Sequence, residues 1–416
     1  MEKRICVVTA GQLCTSPRMV KAADALHDAG YDVTLLSTQG WIDWANEADE
    51  KSLARRAGTW KWKVVQWDKK HAPVTRAWTA VRFRVLRRIV GTINLGHVPL
   101  TVLGAAHVRV SREIEKLAAR QSCDLFYGGG SALAATAVAA TRCKVPFALD
   151  LEDFHSAELA QVAGRQVAQR IVEQIEGKVL SKAAFLTAGS AAIANAYMEK
   201  YRVTPVVINN TFPLPAIAPK ISRGDGSSLK LYWFSQTIGQ GRGLEDAVQA
   251  MGLASIPGEL HLRGNGQPGY IDQLRRQAAT AAPRLSIVHH PPAPADDMIA
   301  LCAGYDVGLA LEQPDVLNRD LCLTNKAFTY MLAGLAVAFT DTTAQRTLAQ
   351  TMGEGAVLYR SGDVVTLASC LRAWAEDPAA LTRSRQAAWD AGQTRWHWEH
   401  PEERGKLLDL VADALR

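Results

Sequence analysis

Short apolar runs recur along the chain, and the stretches between them carry helical spacing. Ile5-Cys-Val-Val8 is a run of buried-strand type. After it, Val20, Ala22, Ala23 and Leu26 put one apolar face on a helix over Met19–Ala29, and Tyr31–Ser37 is the next strand. Thr15 or Ser16 stands where a cap belongs, Pro17 suits a first turn, and Gly30 suits the position after the last. Strand, helix, strand is a βαβ unit and predicts a parallel sheet with flanking helices. The pattern resumes with a helix over Val108–Ala119, a strand at Asp124–Tyr127, the loop Gly128–Ser131 and an Ala-rich helix over Ala132–Ala140. A strand at Val145–Asp150, a helix over Gln161–Ser181, a strand at Ala184–Thr187, a helix over Ala191–Glu199 capped by Ser190, and a strand at Val206–Asn209 follow.

Thr211–Ser228 holds three prolines and two glycines without a period, which marks a linker. A second series then places strands at Leu229–Phe234, Glu259–Arg263, Leu285–Val288, Val307–Leu311, Ala336–Phe339 and Ala356–Tyr359. The expected architecture is α/β, with two Rossmann-like domains: residues 1–212, a linker at 213–228, and residues 229–397. A helix in 398–416 is expected to pack back on the first domain. Ligands of open parallel sheets sit outside the carboxyl ends of the strands, so the cleft between two such domains is the expected site.

The 416 residues are 48% hydrophobic and 21% charged, which is ordinary globular usage and excludes a disordered or collagen-like chain. No run of about 18 apolar residues occurs, so no transmembrane helix is expected. The start runs directly into a strand pattern without a signal-peptide core. Seven scattered cysteines, none spaced as C-x-x-C, fit a reduced, cytoplasmic protein without structural zinc. The net charge of +6 is unevenly placed. Between Arg55 and Arg88 stand eleven basic residues, one acid (Asp68) and four of the eleven tryptophans, so the remainder is net acidic. That window reads either as a solvated helix covering core, or as a peripheral contact with anionic membrane on its inner face. Nothing resembles a nucleic-acid-binding module.

Several loops after strands carry candidate chemistry. Gly239, Gly241 and Gly243 allow close backbone approach, Arg242 adds a fork-shaped cation, and a helix begins just beyond. Together they suit a phosphate, although a plain turn with a surface Arg has the same look. Thr324, Asn325 and Lys326 open a further helix, and Glu312, Asn318 and Asp320 precede it in a polar loop suited to sugar hydroxyls. Asp150, Glu152, Asp153 and His155 crowd four ionisable groups into six residues, suited to proton or hydroxyl binding or to a solvated loop. Their spacing matches no common metal site. Of His289 and His290, adjacent residues pointing apart, a loop contact is favoured over a metal pair.

Taken in order, these segments resemble the GT-B glycosyltransferases, especially glycosyltransferase family 4. The resemblance rests on Ser16–Ala23 with Gly30–Val33, on Asp150–His155, on Trp233–Glu245, on Leu262–Gly264 and on Asn325–Val337. It implies a nucleoside-diphosphate sugar held by the second domain, with Gly239, Gly241, Arg242, Gly243, Arg263, Gly264, His290, Glu312, Asn318, Thr324, Asn325 and Lys326 as donor-side residues. It implies an acceptor held by the first domain, with Gly11, Arg18 and Gly129 on that side. Asp150, Glu152, Asp153, His155 and Arg242 are the expected catalytic residues. Transfer would retain the anomeric configuration and need neither metal nor cofactor. The chain departs from the family pattern in places. The earlier Arg of the donor loop maps to Thr237, and the two Glu of E-x7-E map to Leu321 and Thr329, with Asp320 beside the first and Glu312 available to substitute. The family's N-domain His falls near Gly129, a role the acids of 150–153 or His155 would take over. A GT-B sugar-nucleotide epimerase and a non-catalytic GT-B partner subunit are the competing readings.

Overall fold

The computed structural model describes residues 2–40, 43–158, 165–221 and 228–416. The chain forms two compact units, residues 1–209 with 401–416, and residues 210–400. The first residues of the expected helix over Gln161–Ser181 and residues 222–227 of the expected linker lie outside the described residues.

Unit 1 is built on seven parallel strands: β1 (Arg4–Thr9), β2 (Asp32–Gln39), β3 (Lys61–Gln66), β4 (Leu125–Gly129), β5 (Phe147–Leu151), β6 (Leu186–Ala188) and β7 (Val206–Val207). Their order is β3-β2-β1-β4-β5-β6-β7. Ile5 pairs with Val33 on one side and Leu125 on the other. The central strands are buried throughout, as parallel strands covered on both faces must be. The order reverses between β1 and β4, and such a switch point opens a crevice at the strand ends. Gly11 and Gly129 stand there.

Three local expectations change. Ser16 precedes the helix Pro17–Asp28, but its hydroxyl bonds Thr9 Oγ1 at 2.8 Å instead of capping. The helix expected over Val108–Ala119 starts three residues later, as Ser111–Ala118, and a separate helix that was not expected, Leu100–His107, precedes it across a turn at 108–110. Val110 and Ile114 are both buried, so the apolar period runs on through that turn. The basic window contains the edge strand β3, whose outward Lys61 and Lys63 protect an open edge. Lys61 pairs with Asp32 at 2.9 Å, Arg56 with Asp24 at 3.0 Å and Arg82 with Glu113 at 2.6 Å. Trp60 and Trp67 are buried, and the Trp60 and Trp62 indoles donate to Asp24 and Ser37. Much of the window is therefore scaffold. The helix Pro73–Thr92 is different: Trp78 is 62% exposed, with Val81, Val85 and Ile89 exposed along the same stripe.

Unit 2 has six parallel strands: β8 (Leu229–Ile238), β9 (Gly258–Gly266), β10 (Leu285–His290), β11 (Val307–Ala310), β12 (Ala336–Thr340) and β13 (Ala356–Tyr359). The order is β10-β9-β8-β11-β12-β13, with the reversal between β8 and β11. Alternate residues of β8 enter opposite cores. Leu231 and Trp233 pack with the helices Leu244–Ala254 and Val364–Glu376, and Tyr232 and Phe234 pack with the helix Asn325–Leu332. Trp398 stays with this unit, its amide donating to the Phe212 carbonyl at 2.8 Å. Among the described residues no helix is long and apolar enough to cross a membrane.

Candidate functional site

At the switch point of unit 2, β8 passes an irregularity between Phe234 and Thr237 and ends in the glycine loop. Gly241 and Gly243 have φ of 68° and 73°, a region glycine adopts freely. Gly243 is pressed onto the end of β11, where a Cβ would meet the Leu311 carbonyl oxygen at 2.8 Å. The loop and β11 are thereby fixed to each other, and the helix Leu244–Ala254 starts there without a side-chain cap. Its first N–H groups and positive dipole end suit an anion.

Arg242 is half-buried on this loop. Burial and the neighbouring Arg319 lower its affinity for the proton, while Glu312 opposes them. An arginine remains charged all the same. Among the described residues its guanidinium makes no hydrogen bond or ion pair. Arg319, which the sequence reading missed, donates from Nη1 to the Gly241 carbonyl at 2.8 Å and adds a second cation.

Glu312 follows β11 and is buried. It pairs with Lys326 at 2.5 Å and accepts from Thr324 at 3.1 Å and from Gln345 at 2.8 Å. Burial would raise its pKa, but Lys326 and these donors win and hold it below the ordinary value. Thr324 spends its hydroxyl on Glu312 and so gives no side-chain cap to the helix Asn325–Leu332. Lys326 also lies 5.7 Å from the centre of the Trp233 ring. The structure thus joins Glu312, Thr324 and Lys326 by direct bonds and sets Arg242 within electrostatic reach of Glu312. Asn318 is buried in the short helix Leu317–Leu321 that also carries Arg319. Asp320 is turned to another use, accepting from the Thr343 amide and hydroxyl at the start of the helix Thr343–Gln350. Thr329 is buried and bonds back to the Asn325 carbonyl.

Arg263, Gly264 and His290 make a separate set of contacts at the ends of β9 and β10. Arg263 donates to Tyr232 Oη at 2.7 Å and to the Pro291 carbonyl at 3.0 Å. His290 meets His261 at 2.9 Å, and His261 meets Glu259 at 2.9 Å. His289 points the other way and donates to the Gly264 carbonyl at 2.8 Å. Gly264 has φ of 142°, and a Cβ there would strike the Ser235 carbonyl oxygen at 1.9 Å.

In unit 1 the motif Asp150–His155 begins in the last two residues of β5 and runs on past its end. Arg18 grips Asp150 with Nε at 2.9 Å and Nη2 at 2.6 Å, and donates its other arm to the Ile208 carbonyl at 2.8 Å. Thr187 donates to the same carboxylate at 2.6 Å, and Tyr127 approaches at 3.4 Å. Burial opposes the charge of Asp150, but Arg18 and these donors keep its pKa below the ordinary carboxylate value. Both oxygens of Asp150 are thus engaged by neighbours. Glu152 has the opposite balance: burial, then Asp153 and Asp150, push it up to about 7, against Arg18 and Lys21. Burial, then Arg18, pull Lys21 down to about 7. Lys21 was legible only as the i+3 neighbour of Arg18 on one helix. Asp153 uses its backbone carbonyl to accept from Tyr197. His155 sets Nδ1 3.4 Å from Glu158; burial alone would lower its pKa, but Glu158 holds it up at about 9.

A Cβ on Gly11 would lie 2.7 Å from Ser16 Oγ. At Gly129 the Met19 sulfur stands 2.7 Å from the place a Cβ would take. Met19 therefore fills the room that a histidine at 129 would need. Among the described residues no group of three or more His, Cys, Asp or Glu side chains is placed to hold a metal ion.

Neither a family profile nor a curated protein sequence matches this chain. Solved structures do. Sucrose-phosphate synthase from Thermosynechococcus elongatus superposes with a TM-score of 0.68 at 13% identity, covering 99% of this chain and 100% of that one. The fold is GT-B. The GT-B fold is shared with Anabaena HepE in complex with UDP, at a TM-score of 0.63 and 15% identity over 99% of each chain. It is shared also with S. aureus TarM in complex with fondaparinux, alpha-GlcNAc-glycerol and UDP, at 0.65 and 8% over 100% of each. Identities this low carry the GT-B architecture, while the chemistry rests on the residues described above.

Proposed function

We propose that this chain is a retaining, metal-independent glycosyltransferase that moves a sugar from a nucleoside-diphosphate sugar held by unit 2 to an acceptor held by unit 1. The observation that carries the reading is Arg242, a half-buried guanidinium that makes no hydrogen bond or ion pair among the described residues, on a glycine loop at the switch point and before an uncapped helix start. A leaving diphosphate gains negative charge as its bond to the sugar breaks. Arg242, Lys326 and the N–H groups at the two helix starts meet that charge, the role a cation plays elsewhere. Glu312 positions Lys326 through their 2.5 Å ion pair. Arg263, Gly264 and His290 line the nucleotide side. On the acceptor side Glu152 and Lys21, both brought near neutrality, are suited to a proton held or passed at the acceptor hydroxyl. Retention follows from the resemblance to family 4 and from the leaving phosphate's ability to take the acceptor proton on the same face. A nucleotide-sugar binding screen, then product analysis of the anomeric configuration by NMR, tests the reading; a chain that binds no nucleotide sugar overturns it.

The reading includes independence of metal. Turnover is expected to be unchanged after exhaustive EDTA treatment; loss with EDTA and rescue by Mg²⁺ or Mn²⁺ would contradict it. The non-catalytic alternative draws on Thr329 and Gly129, and donor hydrolysis by the isolated chain separates the two.

The acceptor is proposed to be lipid-linked or membrane-proximal, with the chain at the inner face of an anionic membrane. Support comes from the exposed Trp78, Val81, Val85 and Ile89, beside exposed Arg84 and Arg88 on a helix without acidic residues. Each surface cation contributes up to about 1 kcal/mol at an anionic bilayer, and Trp suits the headgroup boundary. Sedimentation with anionic vesicles is expected to weaken with salt and to fall when Arg84, Arg87 and Arg88 become Glu. Equal partitioning of that variant and the parent would refute the contact.

A further inference from the structure

Unit 1 holds a cavity of about 50 Å³ beside the Gly130–Ser131 turn that follows β4. One water needs roughly 10–15 Å³ on the same measure, so the space suits a small chemical group. Its walls are apolar: Leu133 and Ala134 from the helix Leu133–Cys143, and Val172 and Ile175 from the helix Gln166–Val179. Its polar end is His155, whose Nε2 is buried without a hydrogen-bond partner among the described residues. Buried donors without acceptors are rare and costly. With Nδ1 turned to Glu158 and the ring held protonated, Nε2 presents an N–H.

The other ionisable groups of the lining decide what that N–H can meet. Glu158 faces His155 Nδ1. Glu176 accepts from Tyr197 at 2.6 Å and from Tyr201 at 2.8 Å. His107 is neutral, since burial and the charge of His155 pull it down to about 4. One cation stands against two carboxylates, so a further anion would enter a net negative space. A cation would meet the N–H of His155 and carboxylates already engaged. What fits is a neutral oxygen acceptor carried on a short apolar stub.

We propose that this cavity binds a neutral carbonyl group of the acetamido type, its oxygen accepting from His155 Nε2–H and its methyl lying against Leu133, Ala134, Val172 and Ile175. This gives the acceptor of the proposed transferase an N-acyl group, and in that respect it rests on the preceding reading. Binding is measured without turnover, so the two fail separately.

The test titrates N-methylacetamide into the full chain carrying ¹⁵N-labelled histidine and follows the His155 Nε2 resonance. A saturable shift at millimolar concentration is expected, with acetate at least about tenfold weaker. Val172→Leu, which narrows the apolar end and leaves His155 in place to report folding, should weaken saturation by a similar factor. Equilibrium dialysis with His155→Phe should show no bound amide above bulk. A shift linear in concentration, equal binding by Val172→Leu, or acetate binding as well as the amide overturns the proposal.

Discussion

Arg242→Ala is expected to lower turnover by about 10²–10³, the loss found when one preorganised donor to developing charge is removed. The side chain sits where the glycine loop meets a helix start and makes no hydrogen bond or ion pair among the described residues, so little of the scaffold depends on it. The thermal midpoint should therefore stay close to the parent's. Arg242→Lys keeps the charge but not the fork and should recover only part of the rate. Removing Arg242 also relieves its repulsion with Arg319, which further argues against a stability loss. A folded Arg242→Ala protein with parental kcat would remove this residue from the mechanism.

The second large effect concerns stability. Arg18 and Asp150 form a pair with side chains 6% and 2% exposed. Removing one partner strands the other, at about 3–5 kcal/mol, so Asp150→Ala should shift urea unfolding to far lower denaturant. Replacing both partners together, Arg18→Met with Asp150→Leu, should recover much of the loss because no buried charge remains. The sign with pH follows from the lowered pKa of Asp150. Stability is present above the ordinary carboxylate value near 4 and is lost as pH falls below it. The Asp150→Ala protein should show a flatter acid limb than the parent. Parental unfolding by the single variant would mean that the pair holds nothing together.

Both predictions touch residues that the sequence singled out, yet only one role was legible there. Strand positions could be read because both sheets are parallel and buried, which writes each strand as an apolar run. Arg242, Glu312 and Lys326 could be read because they stand in loops directly after strands or at a helix start. The grip of Arg18 on Asp150 spans 132 residues, and no local period records such a pair. The carboxylate cluster looked uniform in sequence; burial split it into Asp150, held ionised by Arg18, and Glu152, raised toward neutrality. β3 was hidden because an edge strand carries lysines where central strands carry Val and Leu. Arg319 and Gln345 went unseen because they enter the site from neighbouring turns and helices without a motif of their own.

Unit 1 takes residues 401–416 from beyond the whole of unit 2. Glu403, fully buried, accepts from the amide and side chain of Asn209, and Arg404 reaches Asp28 at 3.1 Å. During synthesis at about 5–20 residues per second, the first unit therefore waits roughly 10–40 s for its last piece while the second emerges uninterrupted. The second unit, residues 210–400, is therefore complete before the first, which already has all seven of its strands and lacks only its last helical segment. The first spends that interval with the Asn209 edge uncovered, a window in which a chaperone has something to hold.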